Sequence, residues 1–402
     1  MTGGDDEREG DGSTVEGDGS TVEGDGSTVD GGESAVDGGT VASQQPVGAS
    51  DTTVDTVIGG WTTRELIELV GIGLTAVLAT AMLAFIGIDW LRELPGALGV
   101  FGALAFDRYL SVGASLDGLL GTNVFRHPFM WRAIATGVLV AIVGPLVGTY
   151  LVHRQMALIG ETLAHTAFAG VAVGFLFIAV TGWTGSLLFV ALVVSVLGAL
   201  GLQWLAEHTD AYGDVPVAIV LTGSFAVGTL LISWGRDFVA ISIDIEHFLF
   251  GSLAIVTAEG AQLVAAMTVG VVALVAYNYK QFLFITFDEQ AARVARLNVR
   301  WYNALLIVMT AVVVVGAMQI LGVILVAGLL VIPVAAASHV AHSFRETLFL
   351  SVLFGQFSVL GGLAFAIAAS LPPGGSIIVV AIGIYLLAIA VSDRSMASIS
   401  MH

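Results

Sequence analysis

A chain of 402 residues that is 56% hydrophobic and only 11% charged, with a mean hydropathy of +0.92, is no ordinary soluble domain; it reads as an all-α polytopic membrane protein. It contains no cysteine, which excludes disulfides, thiolate metal sites and cysteine nucleophiles, so any metal chemistry must use His, carboxylate, hydroxyl or carbonyl ligands. The formal charge of −18 is concentrated at the start, because residues 1–60 hold fourteen of the 32 acidic residues against Arg8 alone. Scarce lysine and an acidic exposed segment fit a halophile's protein bathed in high salt, and the lack of basic patches argues against a nucleic-acid partner.

Residues 9–36 repeat EGDGSTV three times and then read DGGESAV. One weakly apolar residue per repeat, set among glycines, cannot form a coiled-coil seam. Residues 1–60 therefore read as a disordered acidic tail that buries too little apolar surface to order itself. They are acidic where the n-region of a signal peptide is basic.

From residue 61 the chain becomes a series of long apolar runs, each of which must be helical because the bilayer offers no partner for open backbone groups. The runs predict spans at 66–88, 133–152, 157–180, 185–206, 215–234, 258–279, 301–320, 322–341, 347–370 and 375–392, about nine to ten transmembrane helices. Residues 92–132 are more mixed, with Pro95, Asp107, Arg108, Asp117, Arg126 and Arg132, and read as an interfacial connector. The organisation is thus an extra N-terminal helix and connector over 61–132, then a main transmembrane domain over 133–395. The apolar piece 248–256 is too short to span and reads as a re-entrant or interfacial helix. Lys280, Arg293, Arg296 and Arg300 place the loop 280–300 in the cytoplasm. Counting spans from there puts nine of the 14 basic residues, and the tail, on that side of a cell membrane.

Residues 150–174, YLVHRQMALIGETLAHTAFAGVAVG, carry a carboxylate and an imidazole on an apolar helix. Glu161 and His165 are four residues apart and share a face. An ionisable group in hydrocarbon costs roughly 2.5 kcal/mol or more, so the pair reads either as a functional site or as a buried ion pair holding helices together. Gly170 and Gly174 on the same segment permit close helix approach. His153 and Arg154 fit a headgroup contact. His247 with Asp244 and Glu246 either meets an incoming cation or caps the short helix after it. Pro333 is expected to kink its span.

The only lysine lies in NYKQF, so no phosphate loop of the G-x-x-x-x-G-K-[ST] type exists in the chain, and any ATP must be hydrolysed by another subunit. In ITFDEQAARVARLNVRWYN, Asp288 is a candidate N-cap, Asp288 and Glu289 suit the positive helix end, and Arg293 and Arg296 suit the other. Such a capped helix between two spans is either a handle for a soluble partner or a solvated linker.

Five stretches, HPFMWRAIATGVLVAIVGPLVGTYLVHRQMALIGETLAHTAFAGVAVG, EHFLFGSLAIV, TFDEQAARVARLNV, LGVILVAGLLVIPVAAA and LPPGGSIIVV, taken together and in this order, resemble the membrane subunits of the ABC importers for zinc, manganese and iron. The resemblance covers residues 127 to about 392. It implies a non-enzymatic permease, homodimeric or pseudo-dimeric, with an ABC ATPase subunit on its cytoplasmic loops and an extracellular metal-binding protein delivering the ion. It makes 288–298 the coupling helix, presenting Asp288, Glu289, Arg293 and Arg296 to the ATPase. Asn298 stands where the family usually has Gly, as a residue that tolerates the left-handed conformation expected after a helix. The family's intramembrane motif is Asp followed four residues later by His. Glu161 occupies the aspartate position with one more methylene and His165 matches, which implies contact with a passing Zn, Mn or Fe ion and no permanently bound cofactor. Alternatives are a permease for a metal chelate, an ion-coupled metal transporter working without an ATPase, and a receptor that transports nothing.

Overall fold

The computed structural model describes residues 63–183, 185–209, 214–235, 249–252 and 256–399. The acidic tail and the cluster of Asp244, Glu246 and His247 lie outside the described residues, as do residues 248 and 253–255 of the piece at 248–256. The described elements are helices in the order α1 (Thr63–Leu91), α2 (Ala97–Leu120), α3 (Pro128–His153), α4 (Leu158–Thr181), α5 (Leu187–His208), α6 (Val215–Gly235), α7 (Ala258–Phe287), α8 (Glu289–Val294), α9 (Val299–Leu321), α10 (Val326–Val340), α11 (Phe344–Ala369) and α12 (Pro373–Ile399). Among the described residues nine helices, all but α2, α8 and α10, are long and apolar enough to cross a membrane. The all-α polytopic reading is thereby borne out.

One element differs from expectation, and the connector gains a helix. The span predicted at 322–341 is the helix α10, only 15 residues long and rising about 22 Å, short of a hydrocarbon core of roughly 30 Å. An unbroken apolar run hid the reason: α9 stops at Leu321, Gly322 takes φ 75°, and a turn at 323–325 uses up part of the run before α10 begins. Residues 97–120 of the connector form a helix of 24 residues, too polar to rank among the candidate spans because Asp107, Arg108 and Asp117 interrupt it.

The core is built on α3, which is buried along nearly its whole length and packs against α1, α7, α9, α10 and α11. Small residues make this possible. Gly355 of α11 lies so close to α3 that a Cβ there would sit 2.6 Å from Pro145 Cγ and 2.8 Å from Ala141 O. One turn away, Thr149 Oγ1 donates to Pro145 O at 2.8 Å and lies 3.0 Å from Ser351 Oγ, so buried hydroxyls are satisfied between the two helices.

Contacts fix which ends lie together. Arg154 after α3 reaches Glu289 of α8, the His153 ring meets Phe344 at the start of α11, and Gln203 near the end of α5 donates to Arg300 O. At the opposite end, Asp89 near the end of α1 meets Arg132 near the start of α3. Both termini of α2 are therefore on one side, which suits a helix lying along the surface of the bilayer. On that side too, the backbones around Gly251, Gly322 and Gly374 press together.

Candidate ion-path site

Glu161 lies in the first turn of α4 and His165 one turn further on. The α4 helix is held by α5 and α6. Gly170 and Gly174 let α5 approach closely: a Cβ on Gly170 would lie 2.9 Å from Ala191 Cα, and one on Gly174 2.6 Å from Leu187 Cδ1. On the α6 side, Thr162 Oγ1 donates to Leu158 O at 3.1 Å and lies 3.4 Å from Val217 O. These contacts bury the flanks of α4 and leave Glu161 exposed, with His165 half-buried beside it.

The His165 ring stands edge-on to Phe225 of α6, centroids 5.0 Å apart, and its Nδ1 is buried without a hydrogen-bond partner. Among the described residues the pair makes no mutual hydrogen bond. A carboxylate and an imidazole remain free to bind, yet no group of three or more His, Cys, Asp or Glu that could hold a metal exists among the described residues. Two ligands on an open face make half of an ordinary site.

At the nearby end, Asp288 caps α8 by accepting from Ala291 N at 2.7 Å, as the sequence indicates. Glu289 accepts from Arg293 Nη2 at 2.6 Å and Nε at 3.2 Å, an i,i+4 pair. Val294 is 84% exposed, an apolar tip on a charged helix. The left-handed residue after α8 is Arg296, at φ 60°; Asn298 instead has φ −78° and caps α9, accepting from Trp301 N at 3.2 Å. Asn298 thus starts the next helix and has no part in ending the previous one.

The headgroup reading of His153 and Arg154 is also replaced. His153 Nδ1 lies 2.8 Å from Thr149 O and its ring packs on Phe287 and Phe344. Arg154, whose side chain is 8% exposed, has Nη2 3.4 Å from Glu289 Oε2 and 2.9 Å from Asn303 Oδ1. Burial pushes its pKa down and Glu289 opposes the shift; a guanidinium stays charged through such a change. Sequence reasoning missed this contact because its partners lie 135 and 149 positions away; the only local signal is an arginine at the end of an apolar helix.

A bundle of apolar helices long enough to cross a membrane, with a short capped helix joining two of them, defines a polytopic membrane protein. The chain belongs to the ABC 3 transport family, whose model matches residues 126–392. It is 30% identical over 274 residues to the manganese transport system membrane protein MntC of Listeria innocua, covering 68% of this chain and 92% of that one. It is 23% identical to the high-affinity zinc uptake system membrane protein ZnuB of Haemophilus influenzae, covering 66% and 98%. Among solved structures it is similar to PsaBC from Streptococcus pneumoniae in complex with Fab, with TM-score 0.59 and 28% identity over 69% of this chain and 95% of that one. Helices α1 and α2 precede the family match.

Proposed function

We propose that this chain is the permease subunit of an ATP-driven importer of manganese or zinc, with Glu161 and His165 as transient ligands on the ion's path. The observation that carries the reading is the pair itself, free of mutual bonds and open on the face of α4, where an unused ionisable pair would be costly. Names of relatives supply the cargo, manganese for one and zinc for another. An oxygen and a nitrogen ligand suit both ions, and two ligands per protomer bind loosely enough to let the ion leave.

Two copies facing each other across the path supply four ligands, which favours a homodimer. A separate ATPase docks on α8, where Asp288, Glu289, Arg293, Arg296 and the exposed Val294 are presented, and an extracellular metal-binding protein delivers the ion to the opposite end. Pushing on α8 then changes the exposure of the ligand pair.

The test is radioactive manganese and zinc uptake by vesicles holding the chain with its ATPase. Uptake should require ATP, and the Glu161→Ala, His165→Ala double variant should lose on the order of tenfold or more, since even outer-shell changes at metal sites cost 10- to 100-fold. Undiminished uptake by an assembled double variant overturns the ligand assignment. Uptake without any ATPase overturns the importer class in favour of an ion-coupled carrier.

A further inference from the structure

Between the coupling helix α8 and the ligand-bearing helix α4 lies a chain of bonded groups that passes through one buried cation. Arg154 follows α3 directly, its N–H donating to Tyr150 O at 3.1 Å. Gln155 takes φ 58° and Met156 N donates to Leu151 O at 2.8 Å, so the chain reverses in a tight, bonded corner. The α4 helix starts at Leu158, and Glu161 stands in its first turn. At the corner Gly160 sits against Leu330 and Ala327 of the α10 region. No slack separates the backbone of Arg154 from the carboxylate.

The side chain of Arg154 runs the other way, to Glu289 of α8 and Asn303 of α9. With 8% exposure it has almost no water to replace a lost partner, and a buried charge left unpaired is strongly destabilising. Glu289 is half-exposed and divided between Arg154 and Arg293. It is therefore the charged member of α8 that turns toward the permease, on the same helix as the fully buried Ala292, while Arg293 and Val294 face out.

Resting on the importer reading above, we infer that Arg154 is a positioning residue that ties α8 to the α3–α4 corner, so that displacement of α8 moves the turn holding Glu161 and His165. The planar fork of the guanidinium lets one group hold Glu289 and Asn303 together. A lysine ammonium in its place keeps the charge without the fork. The inference concerns coupling, so its signature is the number of ions moved per ATP hydrolysed.

The experiment measures ATP hydrolysis and manganese uptake in the same vesicles, with the assembled permease and ATPase. Arg154→Gln should leave hydrolysis within about twofold and lower uptake per ATP by about tenfold, inside the usual 5- to 150-fold range of coupling between sites. Arg154→Lys should fall between Gln and wild type. The exchange Arg154→Glu, Glu289→Arg, in which the Asn303 amide turns to donate, should recover a higher uptake per ATP than either single change. If Arg154→Gln does not assemble, the exchange and the lysine variant still decide the matter. An unchanged ratio in these variants, including a parallel loss of both activities, makes Arg154 a structural staple only and overturns the inference. Failure of the parent reading looks different, because wild-type uptake would then not depend on ATP at all.

Discussion

Asp89, 2% exposed, receives Arg132 in a fork, Nε to Oδ2 at 2.7 Å and Nη2 to Oδ1 at 3.2 Å. The pair joins the last turns of α1, which precedes the family match, to the first turns of α3, on which the rest of the bundle is built. Arg92 adds a second contact to Asp89 at 2.8 Å while its guanidinium covers the Phe106 ring of α2 at 4.1 Å. One carboxylate therefore gathers α1, α2 and α3.

Cutting the fork leaves a buried carboxylate with one cation in place of two. Arg132→Met should lower stability by about 2–3 kcal/mol, the usual size of a lost charged hydrogen-bonded contact. The Asp89→Asn, Arg132→Met double variant should be more stable than the sum of the single losses by roughly 1 kcal/mol or more, as contacting residues couple. Unfolding of the detergent-solubilised protein checks both, and strictly additive losses would mean that the fork contributes little.

The carboxylate at position 161 should matter more than its length. Glu161→Asp keeps an oxygen ligand and should retain uptake within roughly tenfold, whereas Glu161→Gln removes the charge and should lose on the order of tenfold or more. The ratio of manganese to zinc uptake is the second readout, since a shorter arm changes the reach of the ligand while its hardness stays the same. Equal uptake by Gln and Glu variants would show that the charge is not used.

How much of this was readable in the chain divides along physical lines. Spans were legible because burying an open backbone in hydrocarbon leaves helix as the only answer, and the Glu161 and His165 pair was legible because its four-residue spacing is local. Asp288 as a cap was legible for the same reason. The fork between Asp89 and Arg132, 43 positions apart, and the reach of Arg154 to Asn303 depend on which helices become neighbours, which local spacing does not encode. The shortness of α10 was hidden because LGVIL is apolar throughout, so hydropathy alone does not distinguish a turn from a helix. Asn298 was misplaced by one helix because a single asparagine suits both an end and a start.

Acid should loosen the loop between α2 and α3. Asp117 accepts from Val124 N at 2.9 Å, Phe125 N at 3.0 Å and Thr122 Oγ1 at 2.8 Å through one oxygen, and from Arg126 N at 2.9 Å through the other. Desolvation acts to raise its pKa, and the hydrogen bonds outweigh it and hold the group well below the ordinary carboxylate range. A folded-state pKa below the unfolded value, about 3.9, means that the bonds contribute fully above that value and that their contribution is lost as pH falls toward the folded one. Hydrogen exchange at Val124, Phe125 and Arg126 should therefore accelerate as pH drops below about 4 beyond the intrinsic trend. In Asp117→Asn the three amides should be less protected at neutral pH and should lack that acid step; an identical step in the variant would assign it elsewhere.

A reciprocal close backbone approach lies at the end of the bundle opposite α8. Gly322 has φ 75° and ψ 161°, a region open essentially to glycine alone and costing other residues of order 1–3 kcal/mol. A Cβ there would also lie 2.2 Å from Leu249 O, and one on Gly251, itself at φ 77°, would lie 1.9 Å from Ile320 O. The two segments are thus pressed together reciprocally, with Ile324 N donating to Leu249 O at 3.4 Å. Gly322→Ala has to pay the conformational strain and also displace the Leu249 carbonyl, so it should lower stability by about 2 kcal/mol or more. Gly73→Ala, in the interior of α1 with nothing within 4 Å of the added methyl, should change it by less than about 1 kcal/mol. Thermal unfolding of the two variants side by side checks the contrast. If both shift alike, the backbone approach at Gly322 relaxes freely, and the turn that shortens α10 owes nothing to the absence of a side chain there.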